Sequence, residues 1–436
     1  MSQSYKLSLP AAIIINMNIM LGVGLFVNTI TLSKMAGILS PAIYLLVAIL
    51  MLPLVLSIAK LLRLHPGGSF YTFGRKEISP LAGFLGAWSY FISKMASSAL
   101  MIHFAVLIIK NTFPMLKDLP ILGLDLAIIG LFAYLNLQNM KTGSKIQVAF
   151  MILKVLPVLF IITSGCIFFD IINIDTNVIW TSIPLSIPLI IYAFSGFEAS
   201  CSLSAHIENA EKNAPKATLT AYFLVASLAA LYQLMFYGMI GANLGNLSHY
   251  FEIFPAVTNK IFAAGSAMGP KLQAVLQLAI AISSFGGSYG IMFSNCWNLH
   301  TLAKEGHLIG SNLIAKLNRH GAPFICVIAE ALIAMIYILA TKGEPVPLQQ
   351  IGAFGGTLAY SACILALLFN ATRQPSRKEL ILPILGCISC LILLASCING
   401  FITKGTYSPF ALFALLVFGI VMFMVKNQRF NSSISK

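Results

Sequence analysis

Apolar stretches of about 20 residues recur along this chain, each long enough to cross the hydrocarbon core of a bilayer as a helix. Read by that rule there are about twelve. They fall near 10–31, 40–62, 81–111, 119–137, 145–169, 184–203, 217–241, 272–301, 322–341, 348–370, 379–400 and 407–426. The third and eighth are long enough to need tilt, and the fourth is short. Runs such as Leu45 to Leu56 do not alternate apolar with polar residues, so helices are expected and a β-barrel is not. Only 9% of the residues are charged and 58% are hydrophobic, too little charge to wet a soluble surface. The expected fold class is all-α integral membrane.

The first apolar stretch is long and lacks a small-residue cleavage site, so it is expected to stay as the first span. The formal net charge of +14 raises the question of a nucleic-acid partner, and the distribution of the charge argues against one. With the N-terminus placed inside, roughly 18 Lys and Arg fall in inner loops and roughly 7 in outer ones. The basic excess therefore reads as a topology signal with some attraction to anionic lipid, and both termini are expected in the cytoplasm. The eight cysteines fall in apolar stretches. Cys387 and Cys390 form a CxxC without a companion pair or histidine cluster, so no disulfide framework, metal or cofactor is implied. No long polar stretch leaves room for a soluble catalytic domain, and no HExxH, GxSxG or Walker A pattern occurs. The longer linkers are 242–271, with an apolar piece from Ile261 to Met268 expected at the interface, and 302–321. Residues 427–436 are expected to fray.

Two spans depart from ordinary helices. The first carries Gly22-Val23-Gly24 in mid-membrane, and the sixth carries Ser195-Gly196-Phe197-Glu198 at a similar depth. Glycines weaken a helix where lipid demands it intact. Interruptions at corresponding positions of two halves point to a transport site within an inverted repeat of about five plus five spans.

These residues resemble the amino acid–polyamine–organocation permeases. Gly22-Val23-Gly24-Leu25-Phe26 is similar to that family's GSGIF, and Phe194-Ser195-Gly196-Phe197-Glu198 to its FSGFE. Pro66-Gly67-Gly68-Ser69-Phe70-Tyr71 resembles its PGG-aromatic loop, and Leu302-Ala303-Lys304-Glu305-Gly306 its ALARDG. The segment from Glu208 to Ala217 resembles the stretch that follows FSGFE. Val23 replaces a small polar residue of the family, and Trp297 stands where many members carry arginine. The resemblance implies a secondary transporter of an amino acid working by alternating access, in a bacterial inner membrane. The expected organisation is a cytoplasmic N-terminus (1–9), a ten-helix core over 10–370 with halves 10–169 and 184–370, two further spans over 379–426, and a cytoplasmic tail.

An amino acid brings a carboxylate and an ammonium into a low dielectric, and each needs a partner. Amides of Gly22, Val23 and Gly24, at the start of a half-helix, suit the carboxylate. Carbonyls of Ala193, Phe194 and Ser195, at an unwound end, suit the ammonium. Tyr192 and Phe194 are candidates for an aromatic lid. Lys154 lies about ten residues into the fifth span, roughly 15 Å deep at 1.5 Å per residue. A lysine without a partner at that depth readily sheds its proton. Some proton-coupled relatives carry a lysine at this point, so Lys154 is read as a proton carrier, with a permanently charged strut as the alternative. Lys94 shares a helix face with Ser97 and Ser98. It suits a second substrate carboxylate or, alternatively, pairs with Glu198 and leaves a pocket for neutral substrates. Glu198 itself is a candidate for proton coupling. His103, Asp125, Ser288, Asn295 and Thr357 are weaker candidates. An exchanger, a polyamine carrier and an intramembrane enzyme are the competing readings.

Overall fold

The computed structural model describes residues 5–173, 180, 183–247, 252–262, 266–404 and 409–434. Among these the chain is helical, and the β-type pairing is an isolated bridge from Leu7 to Ile207. Helices α1 (Leu9–Met20) and α2 (Val23–Ala36) divide the first apolar stretch. Next come α3 (Ser40–Leu64), α4 (Phe70–Glu77), α5 (Pro80–Thr112), α6 (Ile121–Asn136) and α7 (Met140–Phe168). The sixth stretch is divided in turn, into α8 (Ile183–Phe194) and α9 (Ala199–Leu203). The chain continues with α10 (Ala210–Ile240), α11 (Asn243–Asn246), α12 (Ile253–Ile261), α13 (Met268–Lys304) and α14 (Ser311–Ile314). It ends with α15 (Phe324–Thr341), α16 (Pro345–Thr372), α17 (Ile381–Lys404) and α18 (Pro409–Ile434).

Ten helical segments among the described residues are long and apolar enough to cross a membrane. The number falls short of twelve for two reasons. Leu9–Met20 and Ile121–Asn136 are too short taken alone, and Val23–Leu64 runs as one stretch with little interruption. The tail also differs from the frayed segment expected, because α18 continues to Ile434. Part of the apolar piece from Ile261 to Met268 lies outside the described residues; α12 precedes it. The loop after the second span holds α4, which starts where Ser69 Oγ accepts a bond from the Thr72 amide and caps the helix.

Starts and cross-links are legible in the side chains. Ser79 caps α5, with Pro80 next where its missing N–H costs nothing. Asn139 caps α7 by accepting from the Thr142 amide. Helix α5 is buried over most of its length and packs between α13 and α16. Asn295 and Asn298 of α13 donate to the carbonyls of Phe91 and Ala87 at 2.9 and 2.7 Å, so two buried amides set the α5–α13 register. Apolar side chains such as Ile49, Ile152, Leu156, Leu339 and Leu391 stand exposed around the outside. That is costly in water and natural against lipid.

Candidate functional site

The two interrupted stretches meet. Non-helical backbone in the first is confined to Leu21 and Gly22. Val23 and Gly24, expected within the break, form the first turn of α2. Their amides are therefore among the first-turn N–H groups that a helix leaves unpaired. In the sixth stretch the break runs over Ser195–Glu198. Gly196 sits at φ 140, a backbone region that L side chains rarely adopt. A Cβ there would stand 2.8 Å from the Met20 amide nitrogen, so one break packs directly on the other. No hydrogen bond among the described residues takes the carbonyls of Ala193, Phe194 or Ser195. The ends of α2 and α8 thus carry open donors and open acceptors respectively.

Asparagines hold this junction on both sides. Asn16 Nδ2 donates to Phe197 O at 2.9 Å and to Ser200 Oγ at 2.8 Å, and Asn28 Nδ2 donates to Leu189 O at 2.9 Å. Tyr192 lies between α2 and α16: a Cβ on Gly24 would stand 2.9 Å from its ring, and one on Gly352 3.4 Å. Phe194 does not join it as a lid. Its ring packs at 5.8 Å from both Tyr44 and Tyr222, toward α3 and α10, because side chains two residues apart on a helix point to nearly opposite sides. Met101 fills the space between Gly22 and Gly287 and covers the start of α2.

The Lys94 ammonium is spoken for. It lies 2.6 Å from Glu198 Oε1 and donates to Ser195 Oγ at 2.8 Å, and that hydroxyl is 3.1 Å from Tyr360 OH. Glu198 Oε2 accepts from the Gly196 amide at 2.8 Å, which fixes the turn. The hydroxyls of Tyr90 and Tyr360 lie against the same carboxylate. Both charges are fully buried, and pairing is what makes such burial tolerable. Of the two readings of Lys94, the geometry matches the internal pair.

Lys154 sits elsewhere, between α1 and α7. Its ammonium donates to Asn18 O, in the last turn of α1, where helix carbonyls carry partial negative charge. No ion pair among the described residues includes it. Asn18 Nδ2 donates to Gln147 Oε1 and, at 2.8 Å, to Gly286 O, so α1, α7 and α13 meet at one polar cluster. Asn16, Asn18, Asn28 and Gln147 were not singled out from sequence. A buried amide inside an apolar stretch was the available signal.

The remaining candidates have partners within the chain. Ser98 Oγ bonds Ser288 Oγ at 2.7 Å, Asn295 braces α5, and Thr357 bonds its own helix at Ala353 O. His103 Nδ1 pairs with buried Asp125 at 2.7 Å, under the Gly343 turn. Glu330 of α15 is a carboxylate that sequence reading passed over. It is fully buried, and neither oxygen has a hydrogen-bond partner among the described residues. At the N-terminal face a cavity of about 750 Å³ is lined by residues including Ser202, His206, Trp297, His300 and Lys304. The Trp297 and His206 rings meet there at a tilt, with centroids 4.2 Å apart.

Comparison with known proteins identifies the family. The model of the family described as "Amino acid permease" matches residues 7–424. The "Low-affinity putrescine importer PlaP" of Escherichia coli (strain K12) is 22% identical over 405 residues, 85% of each chain. The "Aromatic amino acid transport protein AroP" of Salmonella typhimurium (strain SL1344) is 23% identical over 348 residues, 74% of this chain and 72% of its own. These relatives are transporters and not enzymes. This chain is a multi-pass membrane protein that belongs to the amino acid permease family.

Proposed function

We propose that the chain is a proton-driven secondary transporter of a neutral amino acid. The observation that carries this reading is the pairing of open amides at the start of α2 with open carbonyls at the end of α8. One suits a carboxylate and the other an ammonium, and the two helix ends abut. Gly22, Val23 and Gly24 are read as the carboxylate cradle, Ala193, Phe194 and Ser195 as the ammonium site through their backbone, and Tyr192 as the cover. With Lys94 held by Glu198, no spare cation invites a second substrate carboxylate, which favours neutral over acidic amino acids.

Proton coupling is assigned to Lys154. Charged, it ties the end of α1 to α7 through Asn18 O. On losing its proton it gives up most of its attraction for that carbonyl end, and α1 is released to move. The cavity at the N-terminal face is read as the inner vestibule. On this reading α1–α2 and α8–α9 are the corresponding broken spans of a five-plus-five inverted repeat. Two further spans bring the total to twelve, with both termini in the cytoplasm and the bilayer a bacterial inner membrane.

The test is uptake of labelled amino acids and putrescine by purified protein in liposomes, with and without an inward proton gradient. Accumulation of a neutral amino acid that collapses with an uncoupler is expected. Putrescine accumulation without amino acid uptake would replace the substrate assignment. Uptake that needs only internal amino acid would make the protein an exchanger.

A further inference from the structure

Away from the transport site, α3 and α10 converge at the N-terminal face. Leu7 is bridged to Ile207, just before α10 begins, and α3 ends on the same side. Between them lies a groove of about 600 Å³ whose lining includes Leu56, Lys60, Arg63, Lys212, Lys216 and Leu219. Its chemistry is ordered by depth. On α3, Lys60 and Arg63 lie toward the face and Leu56 lies deeper. On α10, Lys212 and Lys216 lie toward the face and Leu219 lies deeper. Spacings of i, i+3, i+4 and i+7 put each set on one side of its helix. Two antiparallel helices thus present the same sequence of cation then leucine along a shared seam.

The charges are mostly free. Lys60 is paired with Glu379. Arg63, Lys212 and Lys216 form no ion pair among the described residues, and all three are exposed. Glu211 is the nearest carboxylate along α10 and is likewise exposed. The deeper wall opens on the lipid-facing surface through Leu56, which is 36% exposed.

We infer that this groove binds an anionic glycerophospholipid, with the phosphodiester on Arg63, Lys212 and Lys216 and an acyl chain along Leu56 and Leu219. Charge complementarity selects the headgroup, since basic pockets between spans attract anionic lipid. Continuity with the exposed apolar surface selects a lipid over a soluble anion. The orientation proposed above enters only in naming the leaflet as cytoplasmic. Binding is measured without transport, so this inference and the transport reading fail separately.

The experiment is native mass spectrometry of the purified full chain in detergent, titrated with phosphatidylglycerol, phosphatidylcholine or glycerol 3-phosphate. The variants are Arg63→Gln/Lys212→Gln/Lys216→Gln and, as an equal loss of charge elsewhere, Lys141→Gln/Lys145→Gln/Lys316→Gln. Thermal midpoints in the same detergent check folding, and Arg63→Gln alone serves if the triple variant is lost. Wild type is expected to bind phosphatidylglycerol in preference to phosphatidylcholine. The groove variant should lose on the order of 100-fold in affinity, from roughly fivefold per basic side chain, and Arg63→Gln about fivefold. The distant variant should bind as wild type does. Equal weakening in both triple variants would reduce the groove to general charge attraction and overturn the inference. Displacement of phosphatidylglycerol by glycerol 3-phosphate at matched concentration would overturn it in favour of a soluble anion.

Discussion

At the scale of single residues, the two buried lysines differ: Lys94 is matched by a carboxylate and Lys154 is held by a backbone carbonyl. Lys94 and Glu198 neutralise each other and are ringed by Ser195, Tyr90 and Tyr360. Removing one partner strands the other, which typically costs about 3–5 kcal/mol. Glu198→Gln is expected to lower the thermal midpoint sharply, and Lys94→Met/Glu198→Gln to recover much of the loss. A single variant as stable as wild type would show that the pair carries little. Gly24 is constrained by space: a Cβ would meet the Tyr192 ring at 2.9 Å and Ala193 Cα at 3.1 Å. Overpacking of this kind costs roughly 1–3 kcal/mol. Gly24→Ala should therefore cut uptake on the order of tenfold or more while the protein still assembles in the membrane, as read by labelled uptake against protein level. Full uptake by Gly24→Ala would separate Tyr192 from the site. The sequence shows Lys94, Glu198 and Lys154 as costly residues, because ionisable groups in apolar runs stand out one by one. Glu198 stands there as one of two readings of Lys94, and Asn18, the partner of Lys154, is not legible. Lys94 finds Glu198 across 104 positions (198 minus 94), and only packing of α5 against the α8–α9 junction brings the two together.

At the scale of elements, the interruptions of the first and sixth stretches follow from glycine and from polar residues in otherwise apolar helices. The extent of each break does not. The first is narrower than the Gly22-Val23-Gly24 motif suggests, because a helix start needs only a non-helical residue at its N-cap and Val23 already continues α2. Phe194 is misjudged from sequence for a related reason: a motif residue's direction depends on where the helix ends. Outside the spans, α4 is fastened to the α13–α14 linker by a bond of 2.6 Å between Tyr71 OH and His307 Nε2. Burial pushes the His307 imidazole below its ordinary value, Glu305 draws it partly back up, and Arg75 pushes it down again. The neutral form is thus the one that accepts from Tyr71. The contact keeps its full strength above the unfolded imidazole value of about 6.5 and weakens as pH falls through the lower folded value. Amide protection around 302–310, taken relative to intrinsic exchange at each pH, is expected to fall on acidification and to be pH-insensitive over that window in His307→Phe. Loss of protection on the alkaline side instead would reverse the assignment.

At the scale of the whole molecule, the all-helical membrane class was open to reading because span length and low charge are properties of composition along the chain. The number of crossings is less so, since Leu9–Met20 and Ile121–Asn136 are short taken alone. Lys154 alone is legible, but the Asn18–Gln147–Lys154 cluster is not, for it needs α1, α7 and α13 at once. In the proposed mechanism a single proton on Lys154 decides whether α1 is tied. The most direct measurement compares wild type with Lys154→Ala in liposomes, reading uphill uptake under an inward proton gradient beside counterflow into preloaded vesicles. The variant is expected to lose gradient-driven accumulation and keep counterflow, because the substrate site survives and the coupling does not. Full pH-dependent uphill uptake by Lys154→Ala would contradict it.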